Sequence, residues 1–177
     1  MGDDRPWRLW ITAASGALAG VALPPLGQPP LLWVSLALLW GLALPQGRWR
    51  SGLLAPVPLA GLLWGAGAVL VSHRWLLALH PLDWIGVPGP LSLPICLSIW
   101  GGCALLAGGL VALWLVLMAR LDPLRFSTAL IGSALWGLGE VTLARGPLFW
   151  IGLGGAALPG DPPLAALAAW IGAGGLA

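Results

Sequence analysis

The chain has 177 residues, 59% of them hydrophobic and 8% charged, with eight arginines, six acidic residues, no lysine and a mean hydropathy of +0.92. Soluble domains carry roughly 25% charged residues, so this chain lacks the polar surface to clothe a water-soluble globule, and a soluble enzyme or a nucleic-acid binder is excluded. Gly and Pro are abundant (27 and 17), but disorder needs low hydrophobicity and the opposite holds here, which assigns the chain to a membrane.

In chain order, the sequence predicts an all-α bundle of transmembrane helices forming a single domain over residues 1–177. Leu9–Leu23 is apolar, opens behind Arg5 and Arg8, and stops at Pro24-Pro25, whose rings remove backbone donors. The turn Gly27-Gln28-Pro29-Pro30 leads into Leu31–Leu44. At about 15 residues, each of these segments is only ~22 Å long as a helix, less than the ~30 Å hydrocarbon core, so they read as a short helical pair. Gln46-Gly47-Arg48-Trp49-Arg50 is a polar loop before the third span, Leu53–Val71. His73-Arg74-Trp75 and a Pro- and Gly-rich loop from Pro81 to Pro90 precede the longest span, Leu91–Ala119. Arg120-Leu121-Asp122-Pro123-Leu124-Arg125 separates it from the fifth span, Phe126–Ala144. A Gly- and Pro-rich loop, Arg145–Pro163, comes next. The sixth apolar run, Leu164–Ala177, is ~21 Å as a helix and reads as an interrupted span.

Arginine placement sets the expected topology. With a cytoplasmic N-terminus, the inner segments hold Arg5, Arg8, Arg48, Arg50, Arg120 and Arg125, whereas the outer loops hold only Arg74 and Arg145. That bias implies five full spans, with the Arg145–Pro163 loop facing outward. Ala17-Leu18-Ala19 also offers an A-x-A site for a cleaved signal peptide, but Asp3 and Asp4 dilute the positive N-terminal region and the proline turn suits a hairpin better.

Few residues can carry chemistry. Glu140, the only glutamate, lies one turn before the end of the fifth span, where an ionisable side chain either faces a wet cavity or bundle interior or is satisfied at the interface by a backbone donor or an arginine. His73, Arg74, His80 and Asp83 gather at the outer end of the third span. Two histidines seven residues apart do not have metal-ligand spacing, so a solvated membrane edge is expected there, and no metal or cofactor is called for. Cys96 and Cys103, also seven apart, cannot bridge on an intact helix and read as packing residues. Trp7, Trp10, Trp33, Trp49, Trp75, Trp84 and Trp150 fall near expected interfaces, as an aromatic belt would. Gly16-Ala17-Leu18-Ala19-Gly20 and Gly61-Leu62-Leu63-Trp64-Gly65 are GxxxG patterns that permit close helix approach, a weak indication among so many glycines.

Taken together, these features resemble the apolipoprotein N-acyltransferase family. Gly16 to Gly20 followed by Leu23-Pro24-Pro25 and Leu31-Leu32-Trp33 is similar to its opening, as are Gly61 to Gly67 and the Gly86-Val87-Pro88-Gly89-Pro90-Leu91 loop. The fullest likeness runs from Ala134-Leu135-Trp136 through Glu140 and Arg145-Gly146 to Phe149-Trp150-Ile151-Gly152-Leu153-Gly154, then to Pro163-Leu164-Ala165 and Trp170 to Leu176. Where the family has Phe-Pro-Trp, this chain has Phe149-Trp150, with Pro147 two residues earlier. The resemblance implies a bacterial inner-membrane acyl transfer, from a membrane phospholipid through a cysteine thioester to the α-amino group of a lipoprotein's diacylglyceryl-cysteine. It also implies that the Glu–Lys–Cys triad belongs to a nitrilase-like domain lying beyond these residues. With no lysine, and both cysteines inside the fourth span, no catalytic residue is expected here, and the chain by itself is expected to be inactive. Glu140, Arg145, Phe149 and Trp150 would then border the lipid path. A small helical transporter or channel subunit using Glu140 and the His73–Asp83 cluster is the competing reading, and a gene fragment without its own function is a third.

Overall fold

The structure, a computed structural model, describes residues 7–44, 57–146, 152–156 and 162–172. Among these residues every regular element is helical. Helix α1 is Trp7–Ala22, α2 Pro29–Ala43, α3 Val57–Ser72, α4 Gly89–Arg120, α5 Phe126–Ala144 and α6 Pro162–Ile171, with short 3-10 helices at Arg74–Leu79, Asp83–Ile85 and Leu153–Ala156. Helix α2 opens on Pro29 and Pro30, first-turn positions where a missing N–H costs no hydrogen bond. The fifth expected span coincides with α5, and the fourth lies inside α4. Two helices, α4 with 32 residues and α5 with 19, are long and apolar enough to cross a membrane, whereas α1, α2 and α3 have 16, 15 and 16 residues. The polar loop 46–50, the start of the third expected span at 53–56 and the end of the sixth at 173–177 lie outside the described residues. The stretch between Pro81 and Pro90, expected as plain loop, contains the 3-10 turn Asp83–Ile85, closed by Gly86 at φ 79°.

Helix α3 is the keystone, packing most extensively against α4 and α1. Both contacts run through glycine, but on different faces of α3. On one side, Gly16 and Gly20 of α1 lie directly against the backbone carbonyls of Trp64 and Ala68, while Gly67 of α3 meets Ala13. On the other, Gly61 and Gly65 meet Ala112 and Ala107 of α4, and Gly108 returns the contact against Leu62. The two GxxxG patterns thus serve different seams, each bringing two backbones into van der Waals contact where no Cβ would fit.

A polar stitch crosses the first three helices inside this apolar packing. Trp64 Nε1 donates to Ser35 Oγ at 3.1 Å, Ser35 donates to the Ser15 carbonyl, and Ser15 Oγ donates to the Thr12 carbonyl at 2.8 Å. Trp64 is 1% exposed and Ser35 is fully buried, so each group depends on its neighbour for a partner. Ser35→Ala therefore strands the Trp64 indole N–H, and a loss of about 1–3 kcal/mol is expected in equilibrium unfolding followed by tryptophan fluorescence. Ser35→Thr, which keeps the hydroxyl, should recover part of it.

The outer faces of α4 and α5 stay apolar, with Leu105, Leu113, Leu130 and Leu138 all more than half exposed. Helices that are apolar all round belong in a core or a bilayer.

Candidate functional site

A cavity of about 250 Å³ lies between α3, α4 and α5. Helices α3 and α4 run antiparallel, since Gly61 faces Ala112 and Gly65 faces Ala107. On α5, Gly132 sits level with Trp114 and Met118 of α4. These pairings give the cavity two distinct ends. At one end, toward the C-termini of α3 and α5, its wall carries Ser72, Glu140 and Leu143. At the other its wall carries Trp114, Leu117 and Leu135. Leu135 and Leu143 are eight residues apart on α5, a depth of about 12 Å. Only the first end is polar, and the residues following α3 and α5 on that side include the exposed Arg74 and Arg145.

Glu140 organises that polar end. It is 7% exposed, and its Oε1 accepts from Trp136 Nε1 at 2.9 Å, one turn earlier on α5, and from the Leu153 backbone N–H at 2.7 Å. The carboxylate therefore fastens the 3-10 turn Leu153–Ala156 to α5 and puts Leu153 into the cavity wall. Gly152 makes the clasp possible: a Cβ there would overlap the Glu140 carboxylate. Of the two bland partners the sequence allows, the described structure supplies the backbone donor, joined by an indole rather than an arginine.

Three tryptophans that belt reasoning overlooks form the deep part of the site. Trp136 stacks edge-on against Trp64, with centroids 6.1 Å apart at 81°, and against Trp114 at 5.2 Å and 89°. Trp114 Nε1 donates to the Gly132 carbonyl at 2.9 Å. Trp64 and Trp136 fall in the middle of spans, away from both expected interfaces, which sets them apart in the sequence, whereas Trp114 lies six residues before Arg120. By contrast, Trp10, Trp33 and Trp84 are each more than two-thirds exposed. Trp49, Phe149 and Trp150, and the side chain of Trp7, lie outside the described residues.

Of the cluster expected at a solvated edge, Arg74, His80 and Asp83 are exposed, and His73 departs from that expectation. His73 is only 4% exposed, with Nδ1 2.9 Å from Ser72 Oγ. His80 Nδ1 lies 2.7 Å from the buried Ser92 Oγ, which also accepts from the Leu82 backbone N–H at 2.8 Å. These contacts dock the 3-10 turns onto the ends of α3 and α4, where the chain would otherwise leave backbone and hydroxyl groups unsatisfied. Cys96 and Cys103 are buried thiols on α4.

Residues 15–177 match the family model described as the apolipoprotein N-acyltransferase N-terminal domain. The apolipoprotein N-acyltransferase of Prochlorococcus marinus (strain MIT 9313) is 48% identical over 188 residues, which covers 100% of this chain and 35% of that protein. That of Parasynechococcus marenigrum (strain WH8102) is 44% identical over 182 residues, 100% of this chain and 36% of the relative. A more distant relative of the same name, from Nostoc sp. (strain PCC 7120 / SAG 25.82 / UTEX 2576), is 32% identical over 135 residues, 76% of this chain and 27% of its own length. The chain thus spans about a third of the length of the curated relatives it matches. No solved structure matches it.

Proposed function

The chain belongs to the apolipoprotein N-acyltransferase N-terminal domain family, and from that premise we propose that it is the lipid-holding part of an enzyme that moves a fatty acyl chain from membrane phospholipid to the N-terminal diacylglyceryl-cysteine of lipoproteins. Its share of the work is positional. It seats the donor's acyl chain in the cavity between α3, α4 and α5, so that the ester carbonyl lies at the polar end beside Glu140, within reach of the catalytic residues supplied by the rest of the enzyme. Holding reactants in place can contribute ~7–11 kcal/mol to such a transfer, so a domain without a nucleophile still matters to the rate. Arg145, directly beyond α5, borders the lipid path on the same side. The chain is a multi-pass protein of the bacterial inner membrane, N-terminus cytoplasmic, with five spans, a topology supported by the six-to-two arginine bias.

One observation carries this reading: the cavity is amphipathic end to end. A pocket lined by leucine and tryptophan with Ser72 and Glu140 confined to one end fits a long acyl chain attached to a polar head, and it offers too few polar groups along its length to conduct an ion or a sugar. The test is photolabelling. A phospholipid with a diazirine in mid-chain, photolysed in bilayers containing the protein, should label Val111 or Trp136 in the cavity wall. Labels confined to outward residues such as Leu105, Leu130 and Leu138 would overturn the reading.

A further inference from the structure

We propose that the seam between α4 and α5 is a lateral portal, through which the acyl chain of a bilayer phospholipid slides sideways into the cavity. The inference rests on the cavity holding an acyl chain, and adds the route by which the chain arrives. The exposure of the lining residues locates the opening. On α3 the wall carries Trp64, Ala68, Val69 and Ser72, none of them more than 7% exposed. The polar end is covered as well, since Glu140 and the Leu153 it tethers are both buried. On α4 and α5, by contrast, Leu110, Leu113, Leu117 and Leu135 line the cavity and are at the same time 38–58% exposed. A side chain does both at the rim of an opening, and all four rim residues lie on the two helices that flank this seam.

Depth and chemistry both suit a hydrocarbon tail. Gly132 meets Trp114 and Met118, and counting along the two helices from that contact sets Leu135 about level with Leu113. Leu135 is the middle residue of α5, so the opening lies at the depth of lipid tails rather than head groups. One turn nearer the polar end, Gly139 leaves a gap in the wall: it lines the cavity, and nothing lies within 4 Å of where its Cβ would be. The slot is too narrow to take another helix between its sides. Trp114 and Trp136 bridge α4 and α5 edge-on with centroids 5.2 Å apart, whereas a helix is ~10 Å across. A tail that moves from bilayer hydrocarbon onto leucine and tryptophan exchanges one apolar surrounding for another, and its head group stays at the interface throughout. Each methylene drawn through water instead would be disfavoured about fourfold.

The test closes the seam in two orders. Leu113→Cys/Leu135→Cys, with both changes at exposed rim positions, is reconstituted in unlabelled bilayers, and the mid-chain diazirine phospholipid is added by vesicle fusion. The two cysteines are bridged with a short homobifunctional thiol reagent, and the unbridged protein is the reference. Bridged before fusion, the protein should lose the Val111 photolabel. Bridged after fusion and then chased with excess unlabelled lipid, it should keep the Val111 label that the unbridged protein loses, because the seam that admits the chain also releases it. Gly139→Leu tests the same opening without a cross-link, since its first side-chain atom enters open space. It should lose the Val111 label while the outward Leu138 remains labelled. If bridging changes Val111 labelling in neither order and Gly139→Leu labels as the wild type does, the portal is overturned and the acyl-chain site stands. If Val111 is not labelled even in the unbridged protein and the wild type, both fail.

Discussion

Glu140→Ala should destabilise the fold by about 2–4 kcal/mol. The alanine removes the acceptor of two donors: the buried Leu153 amide, whose loss of a partner costs about 1–3 kcal/mol, and the half-buried Trp136 indole N–H, which adds about 1 kcal/mol. Solvent cannot make up the loss at a side chain that is 7% exposed. The effect should show in denaturant unfolding in mixed micelles, and it has a local readout as well. The Leu153 amide should be protected from hydrogen exchange in the wild type and exchange freely in the alanine variant, because the turn 153–156 loses its tie to α5. Glu140→Gln keeps a carbonyl oxygen at the same place and should restore most of both the stability and the protection. If Glu140→Ala left the Leu153 amide protected, the clasp would not be what holds this turn.

Gly65→Ala should cost about 3 kcal/mol, at the upper end of what added methyl groups do in packed interiors. The new Cβ would lie 2.7 Å from the Ala107 carbonyl oxygen and 2.9 Å from the Gly108 Cα, so the atoms that must give way are backbone, and neither helix can relieve the clash by changing a rotamer. Gly109→Ala is the matched control, on α4 two residues beyond the Ala107 that Gly65 faces. Nothing lies within 4 Å of its Cβ position, so the same chemical change should be neutral or stabilising by up to ~1 kcal/mol through helix propensity. Unfolding midpoints of the two variants should therefore move in opposite directions. Equal destabilisation would mean that the α3–α4 seam is looser than two backbones in contact.

Much of the architecture is legible in the sequence because it depends on local terms. Apolar runs and their proline and arginine punctuation locate α2, α4 and α5 to within about two residues, which is as sharply as helix ends are defined. The GxxxG patterns mark close approach, but periodicity within one helix cannot say which neighbour is approached. Gly16 and Gly65 serve different seams, and only the packing of α3 between α1 and α4 decides it. Glu140 stands out as the sole glutamate, while one of its partners, Leu153, is thirteen residues away across a loop, and nothing in local spacing pairs them. The same limit hides the burial of His73, which depends on the 3-10 turn folding back over the end of α3. Trp64, Trp114 and Trp136 escape a reading by interfaces because an indole's amphipathic character explains a belt and a buried hydrogen-bonded ring equally well.

The glycine seams have a mechanical consequence. Helix α3 is gripped on two sides by neighbours that touch it backbone to backbone, so α1, α3 and α4 form a stiff frame in which sliding or rotation would drive atoms together. Helix α5 joins that frame differently, meeting α4 through side chains such as Trp114 and Met118 around Gly132, with far sparser contact. The compliance of the three-walled pocket is therefore concentrated in one wall. Whatever widens the pocket does so by displacing α5, and the element that resists this displacement near its far end is the carboxylate tether to the turn beyond it.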